Sequence, residues 1–140
     1  MSEVLKVIIA GGRKFNSYST LESYCKHVLR NQTNIEVVSG TAKGADSLGE
    51  EFAIKNNLGL KSFPAPWYDI ENRRSTELGT TKNGGKYWKS AGFVRNKQMA
   101  EYADALIVFW DGKSKGTKSM IDLAKKAGLK IRIKRYDYGA

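Results

Sequence analysis

The 140-residue chain is poor in the residues that staple small proteins or build metal centres: it has one cysteine, one histidine and two prolines. A lone thiol, Cys25, excludes an internal disulfide and points to a reducing, cytoplasmic setting. One histidine, His27, beside one cysteine makes no metal cluster of recognisable spacing, so neither metal nor cofactor is expected. Cys25 falls on the apolar face of an amphipathic stretch and reads as core, not nucleophile; His27 reads as an exposed helical residue. No apolar run approaches the roughly 20 residues that cross a bilayer, so no membrane partner is expected. The early run Val7 to Ala10, ending in Gly11-Gly12, reads as a first strand and not as a signal peptide. Acidic residues are also few, 14 against 24 Lys and Arg, for a net charge of +10. That balance suits an anionic partner, or simply a well-solvated surface. No helix-turn-helix, zinc-finger or RNP-type motif accompanies it, which ranks nucleic acid below a small anionic ligand.

What the chain does have is glycine after strands. Ser39-Gly40-Thr41-Ala42-Lys43-Gly44-Ala45-Asp46 follows the apolar run Ile35 to Val38, and Asp111-Gly112-Lys113-Ser114-Lys115-Gly116-Thr117 follows Ala105 to Trp110. A strand that turns through small residues into a helix aims unpaired N–H groups, and the positive end of the helix dipole, at one spot. Such a spot favours phosphate. The turns nominate Gly11, Gly12 and Arg13 after the first strand, with Ser39, Gly40, Thr41, Ala42, Gly44, Ala45 and Asp46 after the second. Asp111, Gly112, Lys115, Gly116 and Thr117 follow the fourth. The alternatives are a tight, ligand-free connection at Gly40 to Ala45, a solvated Arg13, and an Asp46 that only caps a helix.

Strand and helix patterns alternate along the chain. Leu21, Tyr24, Cys25 and Val28, and later Met120, Leu123, Ala124 and Ala127, recur at i, i+3, i+4 and i+7, as on one helical face. Leu60 to Phe63 reads as a third strand, Phe93 to Tyr102 as a helix, Ala105 to Trp110 as the central strand, and Leu129 to Ile133 as an edge strand. The pattern predicts one α/β domain over 1–140: a Rossmann-like, about five-stranded, mostly parallel sheet with helices on both faces. Ligands of such sheets sit beyond the strands' carboxyl ends, where strand order reverses. The glycine turns are therefore expected to line one continuous crevice. Residues 68–89 lose apolar periodicity and carry Arg73, Arg74, Lys82 and Lys86. They read as a basic loop or hairpin insert, either a lid or a contact to a second copy, with Trp67 and Trp88 packing together at its base. Trp110 lines the pocket or packs in the core.

The chain resembles the SLOG superfamily, which holds the Smf/DprA proteins and the LOG enzymes, and looks most like its YspA/YpsA-related branch of bacteria and phages. The resemblance rests on Gly11-Gly12-Arg13-Lys14-Phe15, on Ser39 to Asp46, and on Phe63-Pro64-Ala65-Pro66-Trp67. It continues through Ala91-Gly92-Phe93-Val94-Arg95-Asn96-Lys97-Gln98-Met99 and Gly116-Thr117. It adds Phe15, Trp67, Arg95 and Asn96 to the candidate contacts, although Arg95 and Asn96 can equally hold the insert. The LOG enzymes hydrolyse N-glycosidic bonds with a Pro-Gly-Gly-x-Gly-Thr-x-x-Glu motif. Here Gly116-Thr117 is kept, Met120 stands at the acid's place, and no proline precedes Gly112. Asp122 lies about 200° further round the helix and does not replace the acid.

Three functions follow as expectations. The first is binding of a nucleotide or nucleotide-derived, ADP-ribose-like ligand for sensing or sequestration, a defence signal being one such cargo. It has no catalytic residue and leaves homo-oligomerisation open. The second is LOG-type nucleotide hydrolysis, with Asp46, Asp111, Glu71 or Glu77 as the carboxylate. The third, by fold analogy, is single-stranded DNA binding.

Overall fold

Val7, Ile8, Ile9 and Ala10, and likewise Leu106 to Phe109, are all buried, as near-continuous apolar runs require of strands covered on both faces. The computed structural model describes residues 3–137. In chain order the elements are β1 (Leu5–Gly11), α1 (Tyr18–Val28), β2 (Ile35–Ser39), α2 (Ala45–Lys55), β3 (Gly59–Ser62), β4 (Leu78–Thr80), β5 (Lys86–Trp88), α3 (Ala91–Tyr102), β6 (Ala105–Trp110), α4 (Lys115–Ala127) and β7 (Lys130–Arg135). Five strands form one parallel sheet in the order β3-β2-β1-β6-β7. The expected Rossmann-like α/β architecture is thus present, with β1 rather than Ala105–Trp110 at its centre.

Strand side chains alternate between two cores. Val7, Ile9, Val37, Ile107 and Phe109 pack under Leu21 and Cys25 of α1 and Phe52 and Ala53 of α2. Ile8, Ala10, Val38, Leu106 and Val108 pack under Met99 and Ala100 of α3 and Met120, Ile121 and Ala124 of α4. Cys25 is fully buried, and burial pushes its thiol pKa up to about 12.

Helix ends follow local chemistry. The Ser17 hydroxyl accepts from the Thr20 N–H at 3.3 Å at the start of α1, and Gly128, at φ 80°, ends α4. Asn57, at φ 54°, turns the chain out of α2 toward β3. β7 runs two residues past its expected end, to Arg135, and sits at the sheet edge with all but Ile131 exposed.

Residues 68–89 contain a 3-10 turn, Ser75–Glu77, and the antiparallel β4–β5 hairpin. Trp67 and Trp88 meet through backbone only: the Trp88 N–H donates to the Trp67 carbonyl at 2.7 Å. Their rings take other partners. Trp67 lies edge-on to Tyr87 at 6.1 Å, and the Arg73 guanidinium covers Trp88 at 3.6 Å.

Candidate ligand-binding crevice

The chain leaves β1 for β2 on one side of the sheet and reaches β6 and β7 on the other, so strand order reverses between β1 and β6. Beyond their carboxyl ends opens a crevice of about 670 Å³. Gly11, Gly12, Arg13 and Lys14 line it after β1, and Asp111, Ser114, Lys115, Gly116, Thr117 and Met120 line it after β6. Ala42, Asp46, Trp67, the first half of α3 and Tyr136 complete its walls. Gly40 and Thr41 line a second cavity of about 360 Å³, which shares Arg13, Ala42, Trp67 and Arg95 with the first. The single crevice expected from the glycine turns is therefore two adjoining cavities with a common wall.

The turn before α2 is built by side chains folding back on backbone. The Thr41 N–H donates to Ser39 Oγ at 3.1 Å and the Ala42 N–H to Asp46 Oδ2 at 3.2 Å. Ser39 is fully buried and donates to Glu50 Oε2 at 2.6 Å. Asp46 does not cap α2 in the usual sense: the cap position is Gly44, with no side-chain bond, and the Asp46 carboxylate turns back into the loop. Gly44 sits at φ 80°, where a Cβ would lie 2.2 Å from the Gly12 carbonyl oxygen. Gly44 and Ala45 thus fasten this turn to the β1 turn, the Ala45 N–H donating to that same carbonyl at 3.2 Å. Neither residue lines either of these two cavities.

Asp46 and Arg95 are the charged groups drawn furthest inside, at 5% and 8% exposure. Desolvation pushes the Asp46 carboxyl up to about 6, against the pull of the Ala42 N–H and the charges of Arg95 and Arg13. Burial presses the Arg95 pKa down, and the Asp46 charge opposes it. Arg95 Nη1 donates to the Gly40 carbonyl, and its Nε donates to Asn96 Oδ1 at 2.9 Å. The arginine thus braces the phosphate-type turn and not the insert, and Asn96 holds the arginine.

The turn before α4 spends much of its own polarity. Asp111 Oδ1 accepts from the Lys113 and Ser114 N–H groups, each at 2.8 Å, and these bonds hold its pKa below the ordinary value. Ser114 Oγ accepts from the Thr117 N–H at 3.3 Å and from Thr117 Oγ1 at 3.1 Å. The N–H groups of Lys115 and Gly116 remain in the first helical turn, where no intrahelical acceptor exists. Trp110 lies outside the crevice: its Nε1 donates to the Ser114 carbonyl at 3.2 Å, and Arg135 covers its ring at 5.4 Å. Gly112 is also outside, against the Arg135 guanidinium. Phe15, nominated as a contact, is core: it stacks on Phe109 at 4.8 Å and meets Tyr136 edge-on at 4.9 Å.

Carboxylates are sparse here. Met120, 2% exposed, presents a thioether to the crevice wall where an acid would stand in a LOG enzyme. Asp122 pairs with Lys118 at 2.9 Å on the exposed face of α4. The Glu77 side chain accepts from the Arg74 N–H at 2.9 Å within the insert. No residue of 68–89 lines either cavity. Among the described residues no group of His, Cys, Asp and Glu could hold a metal, and no helix is long and apolar enough to cross a membrane.

Sequence reasoning missed Tyr136. The signal was there in principle, because the residue directly follows a parallel strand, as Asp111 does. It was lost because the β7 end was placed two residues early.

A parallel sheet with helices on both faces and a crevice at the strand-order reversal defines a Rossmann-like α/β protein. Residues 5–69 match the model of the YspA, cpYpsA-related SLOG family, which bears out the resemblance read from the motifs. The Ala91 to Met99 and Gly116-Thr117 motifs lie beyond that segment. No curated protein matches the chain. Among solved structures, DNA processing protein A (DprA) of Streptococcus pneumoniae is similar at a TM-score of 0.68 and 18% identity, over 93% of this chain and 50% of that one. The Helicobacter pylori DprA, solved for its single-stranded DNA binding mode, is similar at a TM-score of 0.61 and 22% identity, over 96% of this chain and 67% of that one. At these identities the likeness is one of fold, and the chain spans half the length of the S. pneumoniae protein.

Proposed function

We propose that the protein binds a nucleotide or nucleotide-derived ligand such as ADP-ribose, in order to sense or sequester it. One observation carries the reading. Arg13, Arg95, Lys115 and the first turn of α4 line a single crevice at the strand-order reversal, where a phosphate gains both charge and helix-dipole stabilisation. The crevice volume of about 670 Å³ lies within the range of small-molecule sites. Trp67 and Phe93 give its mouth apolar faces for a base.

N-glycosidic hydrolysis is the second reading, kept by Asp46, a carboxyl with pKa about 6 that lines the crevice. Met120 weighs against a LOG-type version of it. Binding to single-stranded DNA draws on the DprA likeness and the +10 charge.

Calorimetry with AMP, ADP-ribose, NAD and an oligo(dT) separates the three readings, followed by chromatography of each nucleotide after long incubation. Saturable binding of a nucleotide without release of base or ribose 5-phosphate is the expected result. Tighter binding of the oligonucleotide than of any nucleotide supports the DNA reading. Base release that disappears in Asp46→Asn supports the hydrolase.

A further inference from the structure

The register of β7 sorts its side chains. Lys130, Arg132 and Lys134 stand opposite Ala105, Ile107 and Phe109, on the face covered by α1. Ile131 and Ile133 stand opposite Leu106 and Val108, on the face covered by α4, and Ile133 is 39% exposed. The backbone is sorted as well. The Lys130 and Tyr136 N–H groups donate inward, to the Asp104 and Trp110 carbonyls at 3.3 and 3.2 Å. A parallel ladder turns alternate residues toward one neighbour. The N–H and carbonyl groups of Ile131, Ile133 and Arg135 therefore face away from β6, on a side where no other strand of the described residues lies. Arg132 Nη1 covers the Ile131 carbonyl at 3.1 Å. Beside this edge, on the α1 face, runs a groove of about 510 Å³. His27, Arg30, Lys130 and Arg132 line it, over an apolar floor that includes Leu5 and Val7. Among the described residues no carboxylate lines the groove, and it shares no residue with the crevice. Asp104, at the same end of the sheet, directs its carboxylate to the Lys6 N–H at 3.0 Å.

Outward peptide groups, cations on one face and isoleucines on the other fit an extended chain of complementary alternation. Main-chain hydrogen bonds supply its affinity, and cross-strand side-chain pairs supply its selectivity. We propose that β7 docks an acidic peptide segment of a partner protein by strand addition, a segment in which Asp or Glu alternates with Val or Ile. Its carboxylates meet Lys130, Arg132 and Lys134, and its branched side chains meet Ile131 and Ile133. One carboxylate takes the Arg132 guanidinium, which frees the Ile131 carbonyl to accept a main-chain N–H. A DNA backbone carries acceptors only, so it satisfies the cations and leaves the outward carbonyls unmet. The other sheet edge, β3, is four residues long with Lys61 as its one charge, and does not match such a segment.

The test uses the whole chain and capped peptides matched in length to β7. One peptide alternates glutamate with valine. A second holds the same residues in two blocks, and a third is the first with its backbone amides N-methylated. Calorimetry reads affinity, and amide hydrogen exchange followed by NMR reads location. The alternating peptide is expected to bind roughly tenfold or more tighter than either control, the scale of one to two main-chain hydrogen bonds. Its binding should protect the Ile131, Ile133 and Arg135 amides, whereas those of Arg132 and Lys134, bonded to β6, are protected from the start. The double variant Lys130→Glu, Arg132→Glu should lose the glutamate peptide and bind its lysine–valine counterpart instead. Equal wild-type affinity for the alternating peptide and either control reduces the contact to unspecific charge and overturns the proposal. So does binding that leaves the Ile131, Ile133 and Arg135 amides unprotected. Tighter binding of oligo(dT) than of the alternating peptide at β7 also overturns it, and assigns the edge to nucleic acid.

Discussion

Asp46 is the carboxylate whose environment departs most from that of a free side chain. Its folded pKa of about 6 lies above the unfolded value near 3.8, so folding takes up a proton between those limits. The unfolded chain binds fewer protons there, and stability falls as pH rises from about 4 through 6, by on the order of 3 kcal/mol. Asp46→Asn retains an acceptor for the Ala42 N–H and escapes that loss. Urea denaturation should show the variant more stable than wild type at pH 8, with the gap closing toward pH 4.5. Gly44 carries a different lesson. The sequence presents it as a phosphate contact, whereas its positive φ and the Gly12 carbonyl beneath it make it a fastening between two turns. Gly44→Val should therefore cost roughly 1–3 kcal/mol of folding stability from backbone strain alone, measured by the same denaturation, rather than acting as a clean binding knockout. Arg13 is exposed and lines both cavities, so Arg13→Ala should weaken AMP binding by roughly 1.5–3 kcal/mol with little change in melting temperature. Arg13 was legible because a cation stands two residues past the end of a strand. Phe15 was not, because a buried aromatic and a ligand-facing one look alike in a motif; its stacking on Phe109 decided its role.

Among the elements, the five parallel strands and four helices were legible from periodicity, since apolar runs and i, i+3, i+4, i+7 stripes report burial directly. What periodicity does not report is lateral order. Ala105–Trp110 is the most apolar strand, yet β1 lies at the centre because it pairs with both β2 and β6. The insert was legible only as an interruption. Its three-residue strands are too short for a period to show, and its expected role as a lid finds no residue at either cavity. It acts at one remove: Tyr87 supports the edge of Trp67, the shared wall between the cavities. Aromatic pairs of this kind are worth about 0.5–1.5 kcal/mol. Tyr87→Ala should lower AMP affinity several-fold in calorimetry while circular dichroism melting changes little, because the hairpin lies outside both cores.

For the whole molecule, a net charge of +10 draws any polyanion, but salt separates steering from fit. Oligonucleotide binding should fall steeply between low and physiological salt, in proportion to the phosphates contacted. A mononucleotide held by a helix turn and a few enclosed contacts should change far less over the same range. Part of that surplus of lysine and arginine lies where the parallel sheet stops. An open sheet leaves two rows of unpaired backbone groups, here on β3 and β7, and each row is a template for another chain to add a strand. β3 offers only four residues. β7 offers six, and Lys130, Arg132, Lys134 and Arg135 stud them with positive charge. Two copies meeting edge to edge would stack like charges in register, so the sheet stays finite. Replacing Lys130, Arg132 and Lys134 with threonine should remove that repulsion and let β7 pair with β7 of a second copy, which size-exclusion chromatography would show as a shift to a larger species than wild type.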